Sequence, residues 1–281
     1  MPGTLFVVAT PIGNLEDVTL RALRILRDVS VIAAEDTRRT FRLLQHYSIS
    51  TPTTSLHEHN EAQKTPSLIR RLHDGESIAL VSDAGTPGVS DPGTRFVAAA
   101  HAAGVRVEPV PGPNAAVAAL SASGFGGDQF VFVGFPPARA QARRAWLTQL
   151  AAEPRPWVVY EAPHRIRDTL ADMLAILGDR QVAIGRELTK RHEELVVRPI
   201  SGHLESVADG RGEYTLVVSP AGDRVHDVAE PTADELTSEF YQMTEDSGLN
   251  RREAIRQLAL KYRLPARAVY ARLEEGRKSG A

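Results

Sequence analysis

The sequence predicts an α/β protein: two successive domains of mixed, mostly parallel sheet flanked by helices, followed by a small helical module. Three patterns carry that expectation. Short apolar runs at 5–9, 29–34, 78–81, 130–133, 157–160, 182–185 and 214–218 have the length and composition of strands covered on both faces. Segments of helical spacing separate most of them, giving the β–loop–α order of a parallel sheet. Beyond residue 222 the strand-like runs stop and charge segregates along the chain.

Size and composition set the bounds. At 281 residues the chain has room for two compact domains, at roughly 100–200 residues each. A hydrophobic fraction of 42% and a charged fraction of 24% are those of a globular protein. No apolar run approaches the ~18 residues of a membrane span, and residues 1–10 lack the basic start and apolar core of a signal peptide. With no cysteine there are no disulfides, thiolate metal sites or cysteine nucleophile, and a cytoplasmic location is expected. Net charge is −2, so any affinity for nucleic acid must come from local patches.

Taken in order, the strand at 5–9 runs into Thr10-Pro11-Ile12-Gly13-Asn14, where Pro11 and Gly13 end it in a turn rich in backbone. Asp17 or Thr19 can cap the helix that follows, with Leu20, Leu23, Ile25 and Leu26 at helical spacing. The strand at 29–34 closes on Glu35-Asp36-Thr37-Arg38-Arg39, two acids beside two arginines, and leads to a helix at 41–46. His57 and His59 face one way on an extended segment, but no third ligand has suitable spacing, so no metal is expected. A helix is read at 66–73. The strand at 78–81 then opens into Ser82-Asp83-Ala84-Gly85-Thr86-Pro87-Gly88-Val89-Ser90-Asp91-Pro92-Gly93, a loop with almost nothing to fill a core. Such a loop at the carboxyl end of a buried strand sits where open α/β sheets bind ligands. A helix at 94–103 and a strand at 105–110 lead to a second loop of this kind, Pro111-Gly112-Pro113-Asn114, and an alanine-rich helix at 115–123. The amino end of that helix, at Ala115 and Ala116, is expected to offer free N–H groups.

Gly134-Phe135-Pro136-Pro137 reads as a hinge, dividing a first domain at 1–135 from a second at 136–222. The segment after it carries Arg139, Arg143 and Arg144 with no nearby acid. In the second domain the strands at 157–160 and 182–185 end on Glu161-Ala162-Pro163-His164-Arg165 and Arg186-Glu187-Leu188-Thr189-Lys190; a short helix at 202–209 precedes the last strand. Residues 223–281 form the third part. The stretch 226–246 holds acids and no lysine or arginine, and combines a linker with one helix. From Leu249 nine basic residues, among them Arg251, Arg252, Arg256 and Arg267, face three acids. Two helices at 251–261 and 266–275, joined by a tight turn at 262–265, resemble a helix-turn-helix with a nucleic-acid phosphate partner.

The sequence lacks the dinucleotide fingerprint G-x-G-x-x-G after a strand, the phosphate-loop motif and the G-x-S-x-G elbow. Instead Thr10-Pro11-Ile12-Gly13-Asn14-Leu15, Ala33-Ala34-Glu35-Asp36-Thr37-Arg38, Leu80 to Pro87 with Asp91-Pro92-Gly93, and Pro111-Gly112-Pro113 follow one another. In this order they resemble the family of small-subunit ribosomal RNA cytidine-2′-O-methyltransferases. Gly134-Phe135, Tyr160-Glu161 with His164-Arg165, and 186–190 extend the likeness through the second domain, and the basic tail through the third. The resemblance implies the tetrapyrrole-methylase fold, S-adenosylmethionine as methyl donor and a homodimer with the donor between the two α/β domains. It also implies methylation of one cytidine 2′-hydroxyl in the decoding region of 16S rRNA, on the assembled small ribosomal subunit.

Under that reading, backbone at Pro11, Asp83, Gly85, Thr86, Pro87, Ala115 and Ala116 holds the donor, with Asp83 bonding it or pinning the loop, and Tyr214 and Thr215 close the pocket. Glu35, Asp36, Glu161, Glu187 and Lys190 all end strands facing the cleft as candidate bases; Glu187 and Lys190 are favoured, since a buried ammonium can lose its proton. Arg38, Arg139, Arg143, Arg144 and Arg186 are candidate phosphate contacts, with the tail arginines. The alternatives are a methyltransferase of the same fold acting on a tetrapyrrole or a protein, or a nucleic-acid-binding regulator whose donor pocket is vestigial.

Overall fold

The computed structural model describes residues 2–126, 128–207, 212–221, 232–246, 249–262 and 266–279. It opens with β1 (Thr4–Val8), α1 (Leu20–Asp28), β2 (Val31–Ala34), α2 (Thr37–His46), β3 (Thr53–Ser55), α3 (Glu61–His73), β4 (Ile78–Val81), α4 (Thr94–Ala102), β5 (Arg106–Val110) and α5 (Ala115–Ser123). The five strands form one wholly parallel sheet in the order β3-β2-β4-β1-β5. Both faces are covered, which is why β2 and β4 are apolar at every position. Ile32, Ala34, Ala79 and Val81 pack under α1 and α2 residues such as Leu26 and Leu43, while Val31, Ala33, Ile78 and Leu80 meet Leu68, Leu72 and Phe96 of α3 and α4. Thr19 caps α1, its hydroxyl accepting from the N–H of Ala22 at 3.1 Å. Helix α2 starts four residues earlier than its apolar spacing suggested, because Asp36 caps it by accepting from the N–H of Arg38. Helix α3 likewise begins before Pro66, which lies inside it.

The strand order positions the loops. Since β4, β1 and β5 are parallel neighbours, the segments leaving their carboxyl ends emerge side by side. The loops at Pro11, 83–87 and 111–114 are therefore adjacent although about a hundred residues separate the first from the last.

The second sheet holds β6 (Val131–Phe132), β7 (Trp157–Glu161), β8 (Gln181–Arg186), β9 (Glu194–Pro199) and β10 (Tyr214–Val218), in the order β6-β7-β10-β8-β9. Helices α6 (Ala140–Leu150), α7 (Ile166–Leu177) and α8 (Ile200–Ser206) accompany it. Here only β6 and β7 pair in parallel; the other three pairings are antiparallel. The short connection at 187–193 is the reason for one of them, since parallel neighbours need a crossover of a dozen residues or more. Strand β9 escapes the apolar-run reading because it is a half-exposed edge carrying Glu194 and Arg198. Strand β6 precedes the Gly134–Pro137 bend yet belongs to this second sheet. The chain changes sheets through α5, whose Ala116, Ala119 and Leu120 pack on Val158, Ala183 and Val217. Small side chains allow that close approach.

Residues 223–281 form a compact unit distinct from 1–222. It contains α9 (Ala233–Tyr241), a π-helical turn at Gln242–Asp246, α10 (Arg251–Lys261) and α11 (Ala266–Ser279), around Leu236, Leu258, Val269 and Leu273. Thr232 and Glu235 make a capping box at the start of α9. The expected linker at 223–231, residues 263–265 of the tight turn and residues 208–209 lie outside the described residues. No described helix is long and apolar enough to cross a membrane.

Candidate active site

The three loops and the facing edge of the second sheet enclose a cavity of about 350 Å³. Its first wall is built from Ile12, Ala84, Gly85, Thr86, Ser90, Asp91 and Ala115, its second from Phe135, Tyr160, Glu161, Tyr214 and Thr215. The first wall is knitted together by backbone. Thr10 and Gly85 exchange both N–H···O bonds, at 2.8 and 3.0 Å, and the Thr86 hydroxyl donates to the carbonyl of Pro113 at 3.2 Å. Gly85 has φ +81°, a conformation that costs an L side chain energy, so a glycine belongs here.

Five of the sequence-predicted donor residues, Gly85, Thr86, Ala115, Tyr214 and Thr215, line this cavity. Pro87 is buried and does not line it. The N–H of Ala116, expected to be open at the helix start, is already satisfied. It donates to Asn114 Oδ1 at 3.0 Å and to the Tyr160 hydroxyl at 3.2 Å, and Asn114 also caps Val117. Pro11 and Asp83 face a separate hollow of about 180 Å³ beside Arg39 and Arg42. There Asp83 pins its loop. Its carboxylate accepts from the Asp36 N–H at 2.9 Å and pairs with Arg39 at 3.3 Å, while its own N–H donates to Glu35.

Glu187 and Lys190 are not at the cavity. They pair at 2.9 Å, and Lys190 also reaches Glu213 at 3.0 Å. Burial alone would lower the Lys190 ammonium, but its hydrogen bonds to Glu187 and Glu213 outweigh this and hold it above its ordinary value. Burial likewise pushes Glu187 up, and Lys190 with the Glu213 N–H pulls it below the usual carboxylate range. Neither is therefore poised as a base. The segment is nonetheless special: Glu187 and Thr189 have φ +51° and +67°, and the Thr189 hydroxyl accepts from the N–H of Asn14 on the first sheet's side.

The predicted arginines separate by burial. Arg143 is unavailable to a phosphate: it is 5% exposed and ion-paired with Asp172 of α7 at 2.7 Å. Arg144 bonds the same carboxylate but remains exposed. Arg139 is exposed, Arg38 is exposed and paired with Asp36, and Arg186 lies at 6.0 Å from the Tyr214 ring. In the second unit Arg251, Arg252, Arg256 and Arg267 are all exposed, Arg251 over the Tyr270 ring at 5.5 Å.

Asp91, Tyr160 and Phe135 are cavity residues that the sequence reading assigned no role. Burial pushes Asp91 up to about 6; a hydrogen bond from Ser82 opposes this, and the charges of Glu35 and Asp83 add to it. The Tyr160 hydroxyl is also raised, by burial and by the charge of Asp91, against the bond from Ala116. Its ring lies 5.5 Å from that of Phe135. Glu161 is locked, accepting from the Thr169 hydroxyl at 2.6 Å and the Ala162 N–H at 2.7 Å beside Arg165. The signal for Asp91 was its place in the same glycine-rich loop as Gly85.

Comparison with known proteins agrees with this architecture. The Tetrapyrrole (Corrin/Porphyrin) Methylases family matches residues 4–202. Ribosomal RNA small subunit methyltransferase I of Synechocystis is 45% identical over 273 residues, 95% of this chain and 96% of its own. The protein of the same name from Pseudomonas aeruginosa is 50% identical over 222 residues, 77% of this chain and 79% of its own. The chain belongs to this family of methyltransferases. The fold of the methylase recurs in uroporphyrin-III C-methyltransferase of Thermus thermophilus, solved with S-adenyl homocysteine, at a TM-score of 0.56 and 20% identity, covering 78% of this chain and 99% of that one. It recurs also in diphthine synthase, at 0.58 and 13%, covering 77% and 90%.

Proposed function

We propose that this methylase transfers the methyl group of S-adenosylmethionine to the 2′-oxygen of a cytidine ribose in the decoding region of 16S rRNA, on the assembled small ribosomal subunit, as a cytoplasmic homodimer. The observation that carries the reading is the 45% identity to a ribosomal RNA small subunit methyltransferase over 95% of the chain. The cavity fits the donor. Its volume falls in the roughly 300–1,000 Å³ range of small-molecule sites, and its first wall leaves room by using Ala84, Gly85 and Ala115. A sulfonium cation suits the second wall, where the Phe135 and Tyr160 rings stand near the Asp91 carboxylate. When bound, the donor supplies an electrophilic methyl group. The protein's part is positioning: Gly85, Thr86 and Ala115 hold one side, and Tyr214 and Thr215, fixed in β10, close the other. The loops of the first sheet and the strand ends of the second sheet then act as the two jaws of the site.

Phosphate contacts fall to the exposed arginines, Arg38, Arg139 and Arg144 beside the α/β halves and Arg251, Arg252, Arg256 and Arg267 in the terminal unit. The test supplies labelled donor and small subunits from cells lacking the activity. Label in a 2′-O-methylcytidine of 16S rRNA supports the reading. Label in a ribosomal protein, in a base, or nowhere in the subunit overturns it.

A further inference from the structure

We propose that Thr189 is a positioning residue for the methyl transfer, tying the turn after β1 to the start of β10 and so fixing the width of the donor cavity. The inference rests on the function proposed above. The cavity walls come from different sheets: Ile12 belongs to the first wall, and Glu213, Tyr214 and Thr215 to the second. Residues 187–190, which leave β8, grip both. Leu188 anchors the segment, packing against the cluster that α5 makes with Val158, Ala183 and Val217. Glu187 and Glu213 exchange two hydrogen bonds of 3.0 Å. In one the Glu187 N–H donates to the Glu213 carbonyl, and in the other the Glu213 N–H donates to the Glu187 carboxylate. Lys190 donates to both carboxylates, at 2.9 and 3.0 Å. On the other side Thr189 Oγ1 accepts from the Asn14 N–H at 3.0 Å, just beyond Ile12 in the chain.

The span is built at a cost. Glu187 and Thr189 have φ +51° and +67°, a left-handed conformation that a β-branched threonine adopts only where its surroundings hold it. The Thr189 N–H donates to the Glu193 carboxylate at 3.2 Å, and the Lys190 N–H to the Glu187 carbonyl at 2.9 Å, so the turn is fixed from within. A Cβ on Gly13 would stand 2.4 Å from Lys190 Cγ and 2.9 Å from Thr189 Oγ1, so this close approach suits glycine alone. The Asn14–Thr189 bond itself is exposed, and water can replace either partner with little loss of stability. Water cannot fix the separation of the two walls. In-line transfer needs the donor methyl aligned with the attacking oxygen, and a misplacement of about 1 Å from a remote change can cost roughly 10²-fold in rate. Donor binding sums contacts made to each wall and tolerates such a shift better. Loss of the Thr189 oxygen should therefore show in rate before affinity or stability.

The test compares the full chain with Thr189→Val, which keeps the branched shape and removes the accepting oxygen, and with Thr189→Ser, which keeps that oxygen. On small subunits with saturating donor, single-turnover methyl transfer by Thr189→Val should fall roughly 10- to 100-fold. Its donor Kd by calorimetry should rise no more than about fivefold, the worth of one ordinary hydrogen bond, and its urea midpoint should not move. Thr189→Ser should recover the rate to within about threefold of wild type. Gly13→Ala, which leaves the hydroxyl in place but forces the turn away from it, should lose rate as Thr189→Val does. A Thr189→Val rate within about threefold of wild type, no recovery with serine, or a donor affinity that falls as far as the rate would overturn the assignment. So would a lowered urea midpoint in Thr189→Val with full activity in Gly13→Ala, which would make the contact structural. The wild-type product judges the proposed function separately. Label elsewhere than a ribose oxygen removes that reading, while the ratio of variant to wild-type rates on the labelled acceptor still judges Thr189; a subunit that wild type leaves unlabelled removes both.

Discussion

A buried aspartate, Asp172, and a half-buried one, Asp91, show how opposite surroundings give opposite pH behaviour. Burial pushes Asp172 up, but hydrogen bonds from Arg144 and Arg143 win, and its carboxyl is held below its ordinary value. Its stabilising contribution is therefore present above about pH 4 and lost as pH falls below that. Removing the charge leaves Arg143 buried and unpaired, so Asp172→Asn should cost about 3–5 kcal/mol by urea unfolding at pH 7. Arg144→Ala, at an exposed position, should cost about 1 kcal/mol or less. Asp91 runs the other way. Its folded carboxyl is raised to about 6, so stability is greatest below pH 4 and declines up to pH 6 as the charge appears. Asp91→Asn should accordingly melt higher than wild type at pH 7.5 and not at pH 3.5; an unchanged melting temperature at both would mean the carboxyl is not perturbed. The sequence placed Arg143 among RNA contacts because it lies in a run free of acids, and the acid that claims it is 29 residues away, on another helix. Pairings of that kind have no local signature.

Among elements, α5 joins the two sheets and holds the cavity wall at Ala115. Its run of alanines is plain in the sequence, but which sheet they pack on is not, because the strands they meet come about 40 to 100 residues later. The same holds for its amino end: the Asn114 cap is a local signal, whereas the Tyr160 hydroxyl that shares the Ala116 N–H comes from β7. Losing the cap with Asn114→Ala should destabilise the protein by about 1 kcal/mol. Because Tyr160 still accepts from Ala116, Asn114→Ala with Tyr160→Phe should cost more than the two single changes added together. Denaturant unfolding of the four proteins measures that coupling. Simple additivity would show that the Tyr160 bond contributes nothing to the helix start. The wholly buried strands β2, β4 and β10 were plain in the sequence because burial on both faces leaves β2 and β4 no polar position and β10 only Thr215 beside the tyrosine that opens it. Edge strand β9 has only three apolar residues, between Glu194 and Arg198, and gave no such run.

For the whole molecule, charge segregates along the chain beyond residue 222, and 223–281 packs as its own unit around Leu236, Leu258, Val269 and Leu273. The order of strands within each sheet was beyond the sequence, and with it the reason that loops at Pro11, Gly85 and Pro113 meet. The division predicts a separation of roles. Every cavity residue lies within 1–222, so a chain ending at residue 222 should keep its fold and bind donor within about threefold of the full chain. Its affinity for small subunits should fall, and so should the dependence on salt. Arg251, Arg252, Arg256 and Arg267 are exposed, and roughly 0.7–0.9 is lost from the log–log salt slope for each phosphate contact removed. If all four meet phosphates, the slope should drop by about three. A shortened chain that binds subunits with an unchanged slope would place RNA recognition in the α/β halves, on Arg38, Arg139 and Arg144. Loss of donor binding in parallel would instead make the terminal unit a support for the cavity.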